Sequence, residues 1–312
     1  MGIKNKRAMF FTLIAIALLT LSLASFSIMS IKKEREAIKN RIETMNNYVH
    51  SFEKDLPRKI YITGFRIIFL YEKRMLETGE FIINASDAFE EAFFNGTING
   101  NITSSEQSLI QGVRFEDIFN DINEDARKIN VNVSFENPKI NITQIDPWNL
   151  YITFKSGVFI QDRGNLASWN RTEVLNVKVP ISNFEDPLYI INTNGKITHK
   201  INETPYESFT SGTNVTNLTN HVENFYYKES SEAPSFLMRI EGNTSESTYG
   251  IESLVHIPTL SAKGVAIKDK SVVDHIYFGL ENPSTKNIQG MSSWFKLDDN
   301  HLDDYDVSGL AI

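Results

Sequence analysis

The chain begins with an unbroken apolar run and later alternates with a period of two. Residues 8–31, AMFFTLIAIALLTLSLASFSIMSI, carry no charged side chain. As a helix this run spans ~36 Å against a bilayer core of ~30 Å, so it predicts one transmembrane helix. No proline occurs before Pro57, and the only glycines before residue 78 are Gly2 and Gly64. The helix is therefore expected to continue into a stalk over 32–80. There, Ile31, Ile38, Met45 and Phe52 recur every seven residues, with Ile42, Val49 and Leu56 as a second row. Together they form an a/d seam that packs along partner helices or on the chain's own distal domain. Pro57, with Asp55 as a cap, predicts a break in the stalk. A second helix follows from about Arg58 to Thr78, with Gly79 as its C-cap. Its centre, IYITGFRIIFLY, is apolar apart from Arg66 and is expected to be buried in protein.

A short helix is expected over Asp87–Phe94, then an exposed loop over 95–110 rich in Asn, Gly, Ser and Thr. Phe115, Ile118, Phe119, Ile122, Ala126 and Ile129 fall at helical spacing and predict an amphipathic helix. Near Asn130 the period changes to two. Val131, Val133 and Phe135 alternate with polar residues, and so do Ile140 and Ile142 after Asn137-Pro138. Leu150, Ile152 and Phe154 continue the pattern, then Val158 and Ile160 after Gly157, then Leu175 to Ile181. This predicts a four-stranded antiparallel meander covered by the 115–129 helix. Beyond Pro187 the pattern weakens. Strands are expected near 187–191, 236–241, 251–256 and 272–278, with a helix near 216–229.

The expected fold class is α+β: an N-terminal transmembrane and stalk helix, then an antiparallel β-rich extracytoplasmic domain with covering helices. The expected divisions are a basic leader (1–7), the span (8–31), the stalk (32–80), an α+β head (81–192) and a loop-rich second part (193–312), which could form a small β domain of its own.

Charge refines this picture. Lys4, Lys6 and Arg7 precede the span with no acid beside them, while Lys32-Lys33-Glu34-Arg35-Glu36 on the other side is mixed. Positive residues on a short flank favour a cytoplasmic N-terminus and an extracytoplasmic remainder. Ser22-Leu23-Ala24 also fits a signal-peptide cut, but seven further uncharged residues follow it, so a retained anchor is the reading. The net charge is −8, and residues 81–312 carry −14 of it against a basic membrane-proximal part. An acidic distal domain repels phosphates, which excludes nucleic acid as its partner. The expected partners are membrane lipid and the helices of like or related subunits.

There is no cysteine, so disulfides and thiolate metal sites are excluded. Glycosylation sequons occur at Asn84, Asn95, Asn101, Asn132, Asn141, Asn170, Asn202, Asn214, Asn217 and Asn243. All lie on the side expected to be outside, where a glycan could be attached.

At residues 6–14, Lys-Arg-Ala-Met-Phe-Phe-Thr-Leu-Ile, the chain resembles the N-terminus of a type IV pilin precursor. The resemblance implies a leader ending at Ala8 and a mature chain starting at Met9, with Phe11-Thr12-Leu13-Ile14 as the helix start. It also implies a helix whose apolar half stacks in a filament and whose amphipathic half packs on an antiparallel sheet. Many pilins carry a glutamate where this chain has Leu13, and the helical region 58–129 is an addition to the pilin plan. The chain also resembles membrane-anchored, sequon-rich, cysteine-free surface proteins of archaea, which implies a location and no activity.

Catalytic chemistry has no local signature. The histidines at 50, 199, 221, 256, 275 and 301 show no metal-ligand spacing on one helix. Gly290-Met291-Ser292-Ser293-Trp294 lacks the second glycine of a nucleophile elbow. Asp274-His275 reads as a strand-edge pair. The acidic run Asp298 to Asp306 has several carboxylates. Leu302 occupies an alternate ligand position, however, and no glycine or distal glutamate follows, so a solvated acidic face is expected. Trp148, Trp169 and Trp294 could stack on a sugar but are expected to serve packing or turns. The expectation is therefore a structural or surface-assembly protein with no catalytic residue, cofactor or metal. The alternative is an anchored ectodomain that binds glycan or a neighbouring envelope protein.

Overall fold

The computed structural model describes the backbone of residues 3–312 and the side chains from Met9 onward. Residues 1–2 of the expected leader, and the side chains of 3–8 including Ala8, lie outside the described part. The first element, α1 (Ile3–Thr78), is one continuous helix with Pro57 inside it. The expected break near Pro57 is therefore absent. A proline inside a helix removes a hydrogen bond and costs ~3 kcal/mol or more. Phe52, Leu56 and Ile60 are all buried on either side of it, so packing offsets that cost. Gly79 ends α1 as expected, with φ at 72° and its amide donating to the Met75 carbonyl.

Helices α2 (Ala85–Asn95), α3 (Ser104–Ile110) and α4 (Phe115–Lys128) follow. The region expected as a loop over 95–110 thus contains α3. A capping box starts it: Thr103 accepts from the Glu106 amide, and the Glu106 side chain accepts from the Thr103 amide. Next come β1 (Val131–Asp146), β2 (Asn149–Asp162) and β3 (Ser168–Pro180), a three-stranded sheet in the order β1-β2-β3. Their short connections make it antiparallel. Three strands stand where four were expected, and the presumed turns at Asn137-Pro138 and at Gly157 both lie inside long strands. At Asn137, φ is 47°. The buried positions of β1 change there from odd (131, 133) to even (140, 142). One residue added to the strand shifts its phase without ending it, as in a bulge. Gly157 causes no shift, and the even positions from 150 to 162 are buried throughout β2.

The remaining elements are short. They are α5 (Pro187–Asn192), β4 (Asn202–Glu203), α6 (Thr216–Glu223), β5 (Tyr226–Glu229), α7 (Phe236–Ile240), β6 (Ile251–Ser253), α8 (Ile257–Ala262), α9 (Asp274–Phe278), β7 (Thr285–Asn287) and β8 (Lys296–Asp298). The segments expected as strands at 187–191, 236–241 and 272–278 are helices. Asp186 and Ser235 cap the first two, accepting from the Leu188 and Met238 amides. β4 pairs parallel with β5, and β5 antiparallel with β6.

By contact the chain divides into two units. The first comprises 1–55, 122–136 and 158–171. Within it Phe52 packs on Phe135, with ring centroids 6.2 Å apart. Arg41 bonds Asp162 at 2.6 Å and the Asn130 carbonyl at 2.9 Å, and the Tyr48 hydroxyl donates to the Ile122 carbonyl. The second unit comprises 56–121, 137–157 and 172–312. Within it Ile67, Ile68, Leu70 and Tyr71 of α1 are buried in protein, as expected for that apolar stretch. Phe115 packs against Phe119, Phe93 and Phe154 with centroids 5.8–6.3 Å apart. α1 is tied to the later segments here. The Glu185 amide donates to the buried Glu72 carboxyl, and just after the helix the Ile82 amide donates to the Ile240 carbonyl.

Candidate functional sites

Two features stand out. The first is the apolar start of α1. Every side chain from Met9 to Ile31 is exposed, including Phe10, Phe11, Leu18, Leu19 and Phe26. The segment is apolar throughout and none of it is buried in protein. It is long and apolar enough to cross a membrane. A helix apolar on every face has no stable place in water. The heptad seam divides along its length. Met45, Phe52 and Leu56 are buried within the chain, while Ile31, Ile38 and Ile42 are exposed. Helix packing on the chain's own later segments therefore accounts for the lower half of the seam. Met9, the expected mature start, is exposed and helical.

All ten sequon asparagines are exposed. Asn84 sits in the left-handed region just before α2. Asn101 and Asn243 lie in loops, and Asn214 accepts from the Thr216 amide and hydroxyl, the Thr216 of its own sequon. A glycan meets no steric bar from burial at any of them. The tryptophans have separate partners: Trp148 donates to Glu229, Trp169 lies under Arg171, and Trp294 meets His256 and Phe295.

The second feature lies in the second unit and has no local sequence signature. Its frame is the fully buried Arg239 of α7. The Arg239 guanidinium donates to Asp186 at 2.7 Å and to both oxygens of Asp274 at 2.9 and 3.2 Å, and also to the Ile251 carbonyl. Asp186 accepts further from the Tyr227 hydroxyl, and Asp274 from the amide and hydroxyl of Ser253. Asp274 also accepts from the His275 amide at 2.6 Å. This network grips both neighbours of Glu252 and the residue before His275. It fixes the start of α9 relative to β6. Asp274-His275 is thus a helix start in a buried charge network, not a strand edge.

Glu252, His275 and His301 converge beside this frame, all buried. Glu252 Oε2 lies 3.5 Å from His301 Nε2 and 3.8 Å from His275 Nε2. These distances are too long for hydrogen bonds. Both Glu252 oxygens and both Nε2 atoms lack a hydrogen-bond partner. Lys228 approaches the other oxygen, Oε1, at 3.7 Å. His301 Nδ1 donates to Asp298 at 2.7 Å, and Asp298 accepts from Ser271 at 2.6 Å. Burial works against a charged His301, but the Asp298 bond and the nearby Glu252 charge outweigh it and push its pKa up to about 10. The expected solvated face at 298–306 is therefore part interior: Asp298, His301 and Tyr305 are buried, while Asp303 and Asp304 are exposed.

His275 and His301 also line a cleft of about 460 Å³ whose walls include Glu232, Glu246, Glu281 and Asn300. Among the described residues, this is the one place where three His, Asp or Glu side chains come close enough to share an ion. Comparison with family models, with curated proteins and with solved structures gives no match.

Proposed function

We propose that this chain is a single-pass membrane-anchored surface protein of pilin-like plan, acting through helix packing and surface contact without catalysis. The observation that carries the reading is the exposed, wholly apolar helical segment Met9–Ile31, continuous with a helix whose later residues are buried in protein. Lipid, or the same segments of neighbouring subunits, would cover that surface. The exposed Ile38 and Ile42 extend it beyond the span and suit contact with like helices. The basic Lys4, Lys6 and Arg7 support a cytoplasmic N-terminus. The ten exposed sequons support a glycosylated, extracytoplasmic remainder.

The test is the mass of the mature protein from membranes. A chain starting at Met9 supports the pilin-like plan with prepilin-type processing. A chain starting at Met1 keeps the anchor but removes the pilin reading. A chain starting at Ser25 overturns anchoring altogether.

A further inference from the structure

We infer that Glu252, His275 and His301 form a binding site for one divalent transition-metal ion of the zinc class, reached through the acidic cleft beside them. The donor set is two imidazole nitrogens and one carboxylate oxygen, a combination such ions favour. The spacing also fits. Metal bonds of ~2.0–2.1 Å in tetrahedral geometry set neighbouring ligands ~3.4 Å apart. Glu252 Oε2 lies 3.5 and 3.8 Å from the two Nε2 atoms, and all three ligand atoms are within 4.8 Å of one another.

The atoms concerned are buried and unpartnered. A buried polar atom without a partner costs free energy, and here several of them face one point. An ion at the centre satisfies Glu252 Oε2 and both Nε2 atoms together, and its binding displaces the proton that His301 Nε2 carries beside Glu252 in its absence.

The surroundings support the same ion. Asp298 accepts a hydrogen bond from His301 Nδ1–H, which turns Nε2 toward the centre, and Ser271 in turn donates to Asp298. Metal-bound histidines commonly have such a carboxylate behind them. Lys228 faces the other oxygen of Glu252, leaving Oε2 as a single ligand atom. The cleft offers a fourth position. Glu232, which lines the cleft, has its Oε2 4.0 Å from His301 Nε2. Glu246 and Glu281 add negative charge at the mouth, which concentrates cations there.

The experiment uses full-length protein purified in detergent without a polyhistidine tag and stripped with a chelator. Cobalt(II) serves as the spectroscopic probe, and zinc(II) as its competitor. The expected result is one cobalt per chain with visible absorption, displaced by zinc and retained in the exposed-histidine control His50→Ala. His275→Ala and Glu252→Gln should each weaken binding at least about tenfold. A folded wild-type chain that takes up neither ion overturns the inference, and this reading does not depend on any variant folding. Uptake by a folded His275→Ala chain equal to wild type overturns it as well.

Discussion

Replacing Arg239 with methionine probes the frame of the second unit most sharply. The side chain has no exposed surface and donates to Asp186, to both oxygens of Asp274 and to the Ile251 carbonyl. Methionine fills much of the same volume but supplies no charge or donor. Two buried carboxylates would then face each other, with one carbonyl left unbonded. Removing one partner of a buried ion pair costs ~3–5 kcal/mol. A domain of ordinary stability has only ~5–15 kcal/mol in all. The assay is urea unfolding of the full chain in detergent, followed by tyrosine and tryptophan fluorescence. Arg239→Met should lower the midpoint by at least about a fifth. Adding Asp186→Asn and Asp274→Asn should recover part of the loss, because the cost lies in the uncompensated charges. A loss below about 1 kcal/mol, with no recovery in the triple variant, would refute the reasoning.

Three further outcomes are expected. Burial raises the Glu72 pKa from 4.5 to about 8, against the lowering effect of the Glu185 amide bond. The folded state therefore holds a proton that the unfolded state loses above 4.5. Stability should fall by an amount on the order of a few kcal/mol as pH rises from about 4.5 to 8, and Glu72→Gln should flatten that slope in melting curves against pH. A Cβ at Gly64 would overlap Ile152 Cδ1, so Gly64→Ala should lower stability by about 1–2 kcal/mol despite alanine's better helix propensity, and Ile152→Val should rescue it. Phe119 is only half-buried, so Phe119→Ala should cost about 2 kcal/mol, less than the ~3–5 kcal/mol of a fully buried ring; denaturant midpoints measure the difference.

Much of the first half of the fold is legible in the chain. The apolar run, the α4 stripe of Ile118, Ile122 and Ala126, and the switch to alternation at Asn130 each follow from period alone. The strand count was also readable in part. Leu150, Ile152, Phe154, Val158 and Ile160 share one parity, so Gly157 could not have turned the chain. The shift from odd to even at Asn137-Pro138 looks the same in sequence whether a turn or a bulge causes it. Pro57 misled because propensity is local, whereas the burial of Phe52, Leu56 and Ile60 that overrides it is tertiary. In the distal part, runs of five or six residues such as Phe236–Ile240 and Asp274–Phe278 are too short for periodicity to separate helix from strand.

The charge network and the histidine cluster were hidden for a related reason. Asp186, Arg239 and Asp274, like Glu252, His275 and His301, come from separate short elements, so no spacing rule joins them. One signal was available: His301 is the single imidazole inside the acidic run 298–306, and it follows Asp298 by three residues. That spacing allows a carboxylate to hold the ring, which is the arrangement found.

The central claim is that the chain crosses a membrane once and displays the remainder outside. The absence of cysteine allows a direct measurement. Ser211→Cys places one thiol at an exposed position of the second unit. Intact cells are treated with a membrane-impermeant maleimide, then lysed and separated at alkaline pH into membrane and soluble fractions. The account predicts full labelling of the intact cells and recovery of the labelled chain in the membrane fraction. Labelling only after lysis, or a labelled chain in the soluble fraction, would contradict it.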